Sequence, residues 1–123
     1  MLFSKLFSIS AVVAASLVGG RSAVADKHNT CACNIIDNYN WRMTTKACDR
    51  YNEKGYPGGK VKYDTPSGMC MGDGEGNYVM GKEWEAACRE AGDSGFACAD
   101  GVGTCFQEDD SKVRGTCPGA SWD

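Results

Sequence analysis

The chain has 123 residues, 24% of them charged, a formal net charge of −3, sixteen glycines and eight cysteines. That length sets one domain. An acidic balance argues against binding a phosphate backbone and against electrostatic attachment to an anionic bilayer, so nucleic acid and membrane surfaces are not expected partners.

Lys5 opens a pattern that reads as an export signal: a positive residue, an apolar run over 6–18, then the small residues Ala23-Val24-Ala25 that a signal peptidase cuts after. The run is too short to span a bilayer comfortably, so no stable membrane insertion is expected. Residues 1–25 are therefore read as a signal peptide. Residues 26–123 are read as one disulfide-stapled α+β domain with flexible ends at 26–30 and 118–123. Removing 1–25, which carries Lys5 and Arg21 and no acid, takes the formal net charge from −3 to −5. All eight cysteines lie after residue 30, which suits an extracellular, oxidising compartment where thiols pair. Staples are needed there. A chain of this size buries only about 60–65% of its unfolded surface, while each bridge stabilises by roughly 2–4 kcal/mol in the chain-entropy model.

Residues 31–36 (Cys-Ala-Cys-Asn-Ile-Ile) read as a short strand. The spacing predicts a helix over 44–54, with Thr44, Ala47, Cys48 and Tyr51 on one face and Gly55 at its end. Residues 60–63 alternate polar and apolar, as a half-buried strand does, and 67–71 and 77–80 give two further strands. A second helix runs from Gly81 or Lys82 to Ala91. Trp84, Ala87, Cys88 and Ala91 face inward there, Lys82, Glu83, Glu85, Arg89 and Glu90 face outward, and Gly92 is the stop signal. Residues 95–98 resume strand character, and 103–107 add an edge.

The two helices correspond at an offset of 40 residues, Ala47-Cys48 matching Ala87-Cys88. This suggests duplicated β-α-β units, with two helices packed on one face of an antiparallel sheet in a small disulfide-rich α+β domain. The cysteines are Cys31, Cys33, Cys48, Cys70, Cys88, Cys98, Cys105 and Cys117. No C-x-x-C pair occurs, so the commonest zinc-knuckle and redox spacings are missing, and structural staples are expected. Cys31 and Cys33 share one strand face and should reach different partners. Cys48 and Cys88 should each reach a strand cysteine. The remaining connectivity stays open.

Candidate chemistry is sparse. His28 is the only histidine, in an expected flexible terminus, which removes most routes to histidine-based catalysis or metal binding. Glu83, Glu85, Glu90 and the Glu108-Asp109-Asp110 run read as solvated acids rather than a glycosidase pair. Asp73-Gly-Glu75-Gly-Asn77 fails the register of a calcium loop and reads as a hairpin-type turn. No metal, cofactor or catalytic residue is expected. Asn29-Thr30-Cys31 is at best an inefficient glycosylation sequon. Of the aromatics, Trp41, Tyr56 and Trp122 lack a core assignment and are the candidate surface contacts, suited to stacking on a sugar or a partner side chain. The adjacent-cysteine pattern of hevein-type chitin-binding modules is absent.

The Cys31-x-Cys33 start, Thr44-Thr45-x-x-Cys48, the isolated Cys70, and Phe96-Ala97-Cys98 followed by Gly101 and Cys105 together resemble small secreted cysteine-rich proteins of filamentous fungi. Many of those are effectors that plant pathogens deliver to host tissue. The paired β-α-β pattern resembles the killer-toxin-type α/β sandwich found among them, although this chain lacks the Lys-Arg or Arg-Arg processing site of the toxin. The resemblance covers about 31–105 and rests on cysteine spacing. Trp41-Arg42 also resembles a Trp-Arg segment of four-disulfide avirulence proteins. The resemblance implies a secreted, non-enzymatic, monomeric effector that binds a host protein or cell-wall glycan, in the host apoplast or inside host cells. The alternatives are an antimicrobial or killer toxin and a cell-wall carbohydrate-binding module.

Overall fold

The structure, a computed structural model, describes residues 26–119 with 121 and 122; the segment 1–25, read above as a signal peptide, lies outside the described residues. In chain order come β1 (Lys27–His28), β2 (Thr30–Ile35), β3 (Asn38–Tyr39), α1 (Trp41–Lys54), β4 (Val61–Asp64), β5 (Met69–Gly72), β6 (Val79–Met80) and α2 (Gly81–Ser94). Then follow β7 (Phe96–Ala97), β8 (Thr104–Cys105), a 3-10 turn (Asp110–Lys112) and β9 (Val113–Thr116). The main antiparallel sheet has the order β9-β2-β5-β4, and β3 folds back on β2 through the two residues Ile36 and Asp37. The pairs β1–β6 and β7–β8 form two separate ribbons.

Both helices lie on one face of this sheet, and their cysteines show why. Cys70 is register partner to Cys31, two residues from Cys33, so Cys33 and Cys70 point the same way. Cys48 of α1 bonds to Cys70 and Cys88 of α2 bonds to Cys33. Each helix therefore meets a strand cysteine, as the sequence suggested, and Cys31 and Cys33 do take different partners. Cys31 bonds to Cys117 just past β9, and Cys98 to Cys105 across the β7–β8 ribbon. The fold class is the α+β arrangement read from the sequence.

The inward faces of both helices are the expected ones: Thr44, Ala47, Cys48 and Tyr51 on α1, and Trp84, Ala87, Cys88 and Ala91 on α2, all buried. Two buried polar groups tie them to the sheet. The Trp84 indole N–H donates to the Ala32 carbonyl at 2.8 Å. The Thr44 hydroxyl accepts from the Cys33 N–H at 2.9 Å and donates to the Asn40 carbonyl at 2.8 Å.

Helix boundaries differ from the pattern. α1 starts three residues early because the Asn40 side chain caps it, accepting from the Met43 N–H at 2.8 Å. α2 continues past Gly92 to Ser94, with Gly95 as its cap. Gly92 is not a stop signal. A side chain there would collide with the Gln107 carbonyl, which the bare backbone allows so close. The duplication is also unequal. The strands beside α2, β6 and β7, pair in the ribbons, and β9 is what returns the chain to the sheet beside β2.

Backbone pairing reaches into both ends that the sequence reads as flexible. Lys27–His28 pairs with Val79–Met80, and Lys27 and Trp122 exchange backbone hydrogen bonds of 2.8 and 3.0 Å. The reason lies at the start of α2, whose N-cap Met80 has no side-chain acceptor. Asp26 supplies one, its carboxylate taking the Lys82 N–H at 3.2 Å and its carbonyl the Gly81 N–H at 2.8 Å. The turn at 73–77 is also no hairpin, since β5 and β6 do not pair; Asn77 closes it by donating to the Asp73 carbonyl at 2.6 Å.

Candidate functional site

The three surface aromatics are placed in different surroundings. Tyr56 lies just beyond the C-terminal end of α1, half-buried against Tyr51 with ring centroids 4.9 Å apart. Trp122 sits edge-on to Tyr78 at 6.1 Å, and the Lys27 ammonium lies 5.1 Å from that Tyr78 ring. Both are engaged with their own chain. Trp41 is at the other end of α1, about 20 Å of helix away from Tyr56. The structure does not gather the three into one platform.

Trp41 owes its exposure to the cap. Asn40 makes it the first helical residue, and the turn that follows sends Met43 and Thr44 into the core, leaving the indole outside with 48% of its surface exposed. Two shallow grooves meet at this ring. One, about 200 Å³, runs along α1 over Thr45, Lys46 and Asp49 to Ala97. The other, about 180 Å³, runs past Tyr39 to Phe96 and Ala99 on the β7–β8 side. The Arg42 guanidinium lies over the Trp41 ring, 4.4 Å from its centroid, close enough for cation–π attraction. Tyr39 is fixed on the edge by donating to the Gly68 carbonyl and by a 3.3 Å contact with the Tyr63 hydroxyl. Burial first, then that bond with Tyr63, hold the Tyr39 hydroxyl above the usual phenol range.

Three of the acids set aside in the sequence have internal partners, whereas the Glu83 carboxylate keeps one buried oxygen without any. Glu85 accepts from the Gly115 N–H at 3.1 Å and pairs with Arg89 at 3.5 Å, and Glu90 pairs with Lys54 at 3.0 Å. Asp109 caps the 3-10 turn through Ser111. Among the described residues no group of three His, Cys, Asp or Glu side chains is placed to hold a metal, and no helix is long and apolar enough to cross a membrane. His28 sits in β1 with its Nδ1 buried and without a hydrogen-bond partner.

Sequence reasoning singled out Trp41, which is exposed, and the Trp41-Arg42 dipeptide, but did not join them with Lys46, Tyr39 and Ala97 on one surface. One signal was available: basic residues at 42, 46, 50 and 54, every fourth position of α1. Comparison with protein-family models, curated proteins and solved structures finds no match to this chain, so its function is read from its own geometry.

Proposed function

We propose that this chain is a secreted, non-enzymatic, effector-type protein that binds another macromolecule through the face around Trp41. The observation that carries the reading is an exposed indole, flanked by Tyr39 and Arg42, at the meeting of two grooves on a scaffold crosslinked by four disulfides. Trp, Tyr and Arg are the residue types that concentrate binding energy at interfaces. The disulfides fit an extracellular, oxidising setting, and two helices pinned to one sheet face support the resemblance to fungal secreted effectors of the α/β-sandwich type. The internal engagement of Glu85 and Glu90 supports the non-enzymatic reading.

The test uses labelled exported protein against plant cell-wall material, plant extracellular proteins and living competitor microbes. Saturable binding to the plant protein fraction, reduced about tenfold by Trp41→Ala at unchanged melting temperature, is the expected result. Capture by chitin or wall glycan alone supports the carbohydrate-module alternative, and growth inhibition of microbes supports the toxin alternative. Turnover of a substrate that survives Trp41→Ala overturns the proposal.

A further inference from the structure

The four basic residues of α1 are not equivalent. In the C-terminal half, Arg50 faces Glu53 at 3.8 Å and Lys54 faces Glu90 at 3.0 Å, and the helix dipole favours cations at that end. None of this holds in the N-terminal half. Arg42 is the second residue of the helix, Lys46 stands one turn further on, and the first turn contains no acid. Cations there oppose the dipole, and like charges four residues apart repel. Among the described residues no ion pair within 4.0 Å reaches Arg42 or Lys46, and Asp49, which shares their groove, pairs with neither. An acidic protein thus keeps two uncompensated cations beside its most exposed tryptophan.

The Arg42 guanidinium lies over the Trp41 ring, and among the described residues no hydrogen bond or ion pair takes its N–H donors, which leaves them for a carboxylate. The grooves at either side of the indole are each of side-chain size. We infer that the Trp41 face docks an acidic–apolar segment of a partner protein, its apolar side chain against Trp41 and Ala97 and its carboxylate on Arg42 and Lys46. The inference rests on the binding function proposed above and adds the chemistry of the partner. A peptide needs only one or two carboxylates at this spot. A uronate polymer, carrying one on every sugar, meets Asp49 and the net negative charge of the chain.

The probes are synthetic nonapeptides with a central Leu or Phe flanked by glutamates, a matched glutamine set, a matched lysine set, and oligogalacturonate. Binding to the full-length exported protein is read by tryptophan emission and calorimetry. Glutamate peptides are expected to bind about tenfold tighter than glutamine peptides, with lysine peptides silent and affinity falling as salt rises. Lys46→Glu is expected to lose about tenfold in affinity while its melting temperature holds or rises, because the new acid stands four residues from both Arg42 and Arg50. Arg42→Gln should lose affinity without unfolding. Equal binding of the glutamate and glutamine sets, full affinity in Lys46→Glu, no binding by any peptide, or binding of oligogalacturonate alone each overturns the inference. If Trp41→Ala still abolishes capture of the plant protein fraction in those cases, the proposed function stands and only this partner chemistry fails.

Discussion

The two helices are alike on the inside and unlike on the outside. Each is fourteen residues long, buries an Ala-Cys pair, and is bonded once to a central strand. The outward face of α2 is used internally. Glu85 holds the Gly115 N–H, and Arg89 reaches the Asp110 and Val113 carbonyls at 3.2 and 3.3 Å. Among the described residues, the side chains of Trp41, Arg42 and Lys46 at the start of α1 make no such ties beyond the Arg42–Trp41 contact. The same inward pattern therefore says nothing about the outward role, and the polar partners separate a structural face from a free one.

The staples give the largest test of this comparison. Cys33–Cys88 closes a loop of sequence separation 55 and Cys48–Cys70 one of 22. In the chain-entropy model, replacing the α2 pair by serines should destabilise by about 4 kcal/mol and the α1 pair by about 3 kcal/mol. Guanidinium unfolding of the two double variants measures the order, and a reversal would mean that local packing outweighs loop closure. Next in size is Gly92→Ala. Alanine favours an isolated helix by about 1 kcal/mol over glycine. Here the added methyl meets the Gln107 carbonyl and the Met43 side chain, so a net destabilisation of about 1–3 kcal/mol is expected. A rise in melting temperature would show that the 105–109 segment gives way instead.

Gly92 also marks what the sequence did and did not reveal. The helical faces were legible because 3.6-residue spacing of Thr44, Ala47, Cys48 and Tyr51, and again of Trp84, Ala87, Cys88 and Ala91, is written in residue type. A glycine in a helix reads as an end unless its tertiary neighbour is known, and Gln107 is fifteen residues away. β9 was missed for a similar reason. Val113-Arg114-Gly115-Thr116 carries a single large apolar residue, and its glycine exists to let Trp84 and Glu85 approach, which no local pattern records. β1 was not read as a strand because Lys27-His28 is only two residues long and carries no apolar alternation. At the candidate site, Trp41 was legible by elimination from the core. Its grooves depend on Ala97 and Phe96 arriving from a ribbon far along the chain, so the site as a whole was not.

Smaller effects separate the two outward faces. Glu85→Ala leaves the half-buried Gly115 N–H without its acceptor and should destabilise by about 1–2 kcal/mol. Thr45→Ala, on the outward side of α1, should stay within about 0.5 kcal/mol. Equal losses would erase the distinction between the helices.

Acid titration probes the α2 side more gently. The Ser111 hydroxyl first, then the Ser111 backbone N–H, hold the Asp109 carboxyl below the usual carboxylate range. A lowered folded value stabilises the ionised, folded form at pH above the ordinary carboxylate range, and that contribution fades as pH falls through the lowered value. The turn it caps is the one Arg89 grips through the Asp110 carbonyl. Acidification should therefore loosen the β9 side of α2, seen as lower amide protection at Ser111 and Lys112 relative to the intrinsic exchange rate at each pH. The start of α1 should not respond in the same way, because its cap is the Asn40 amide, which does not titrate. Asp109→Asn removes the pH dependence of protection at Ser111 if the carboxylate is its source. Persistence of that dependence in the variant would place the acid-sensitive contact elsewhere on α2.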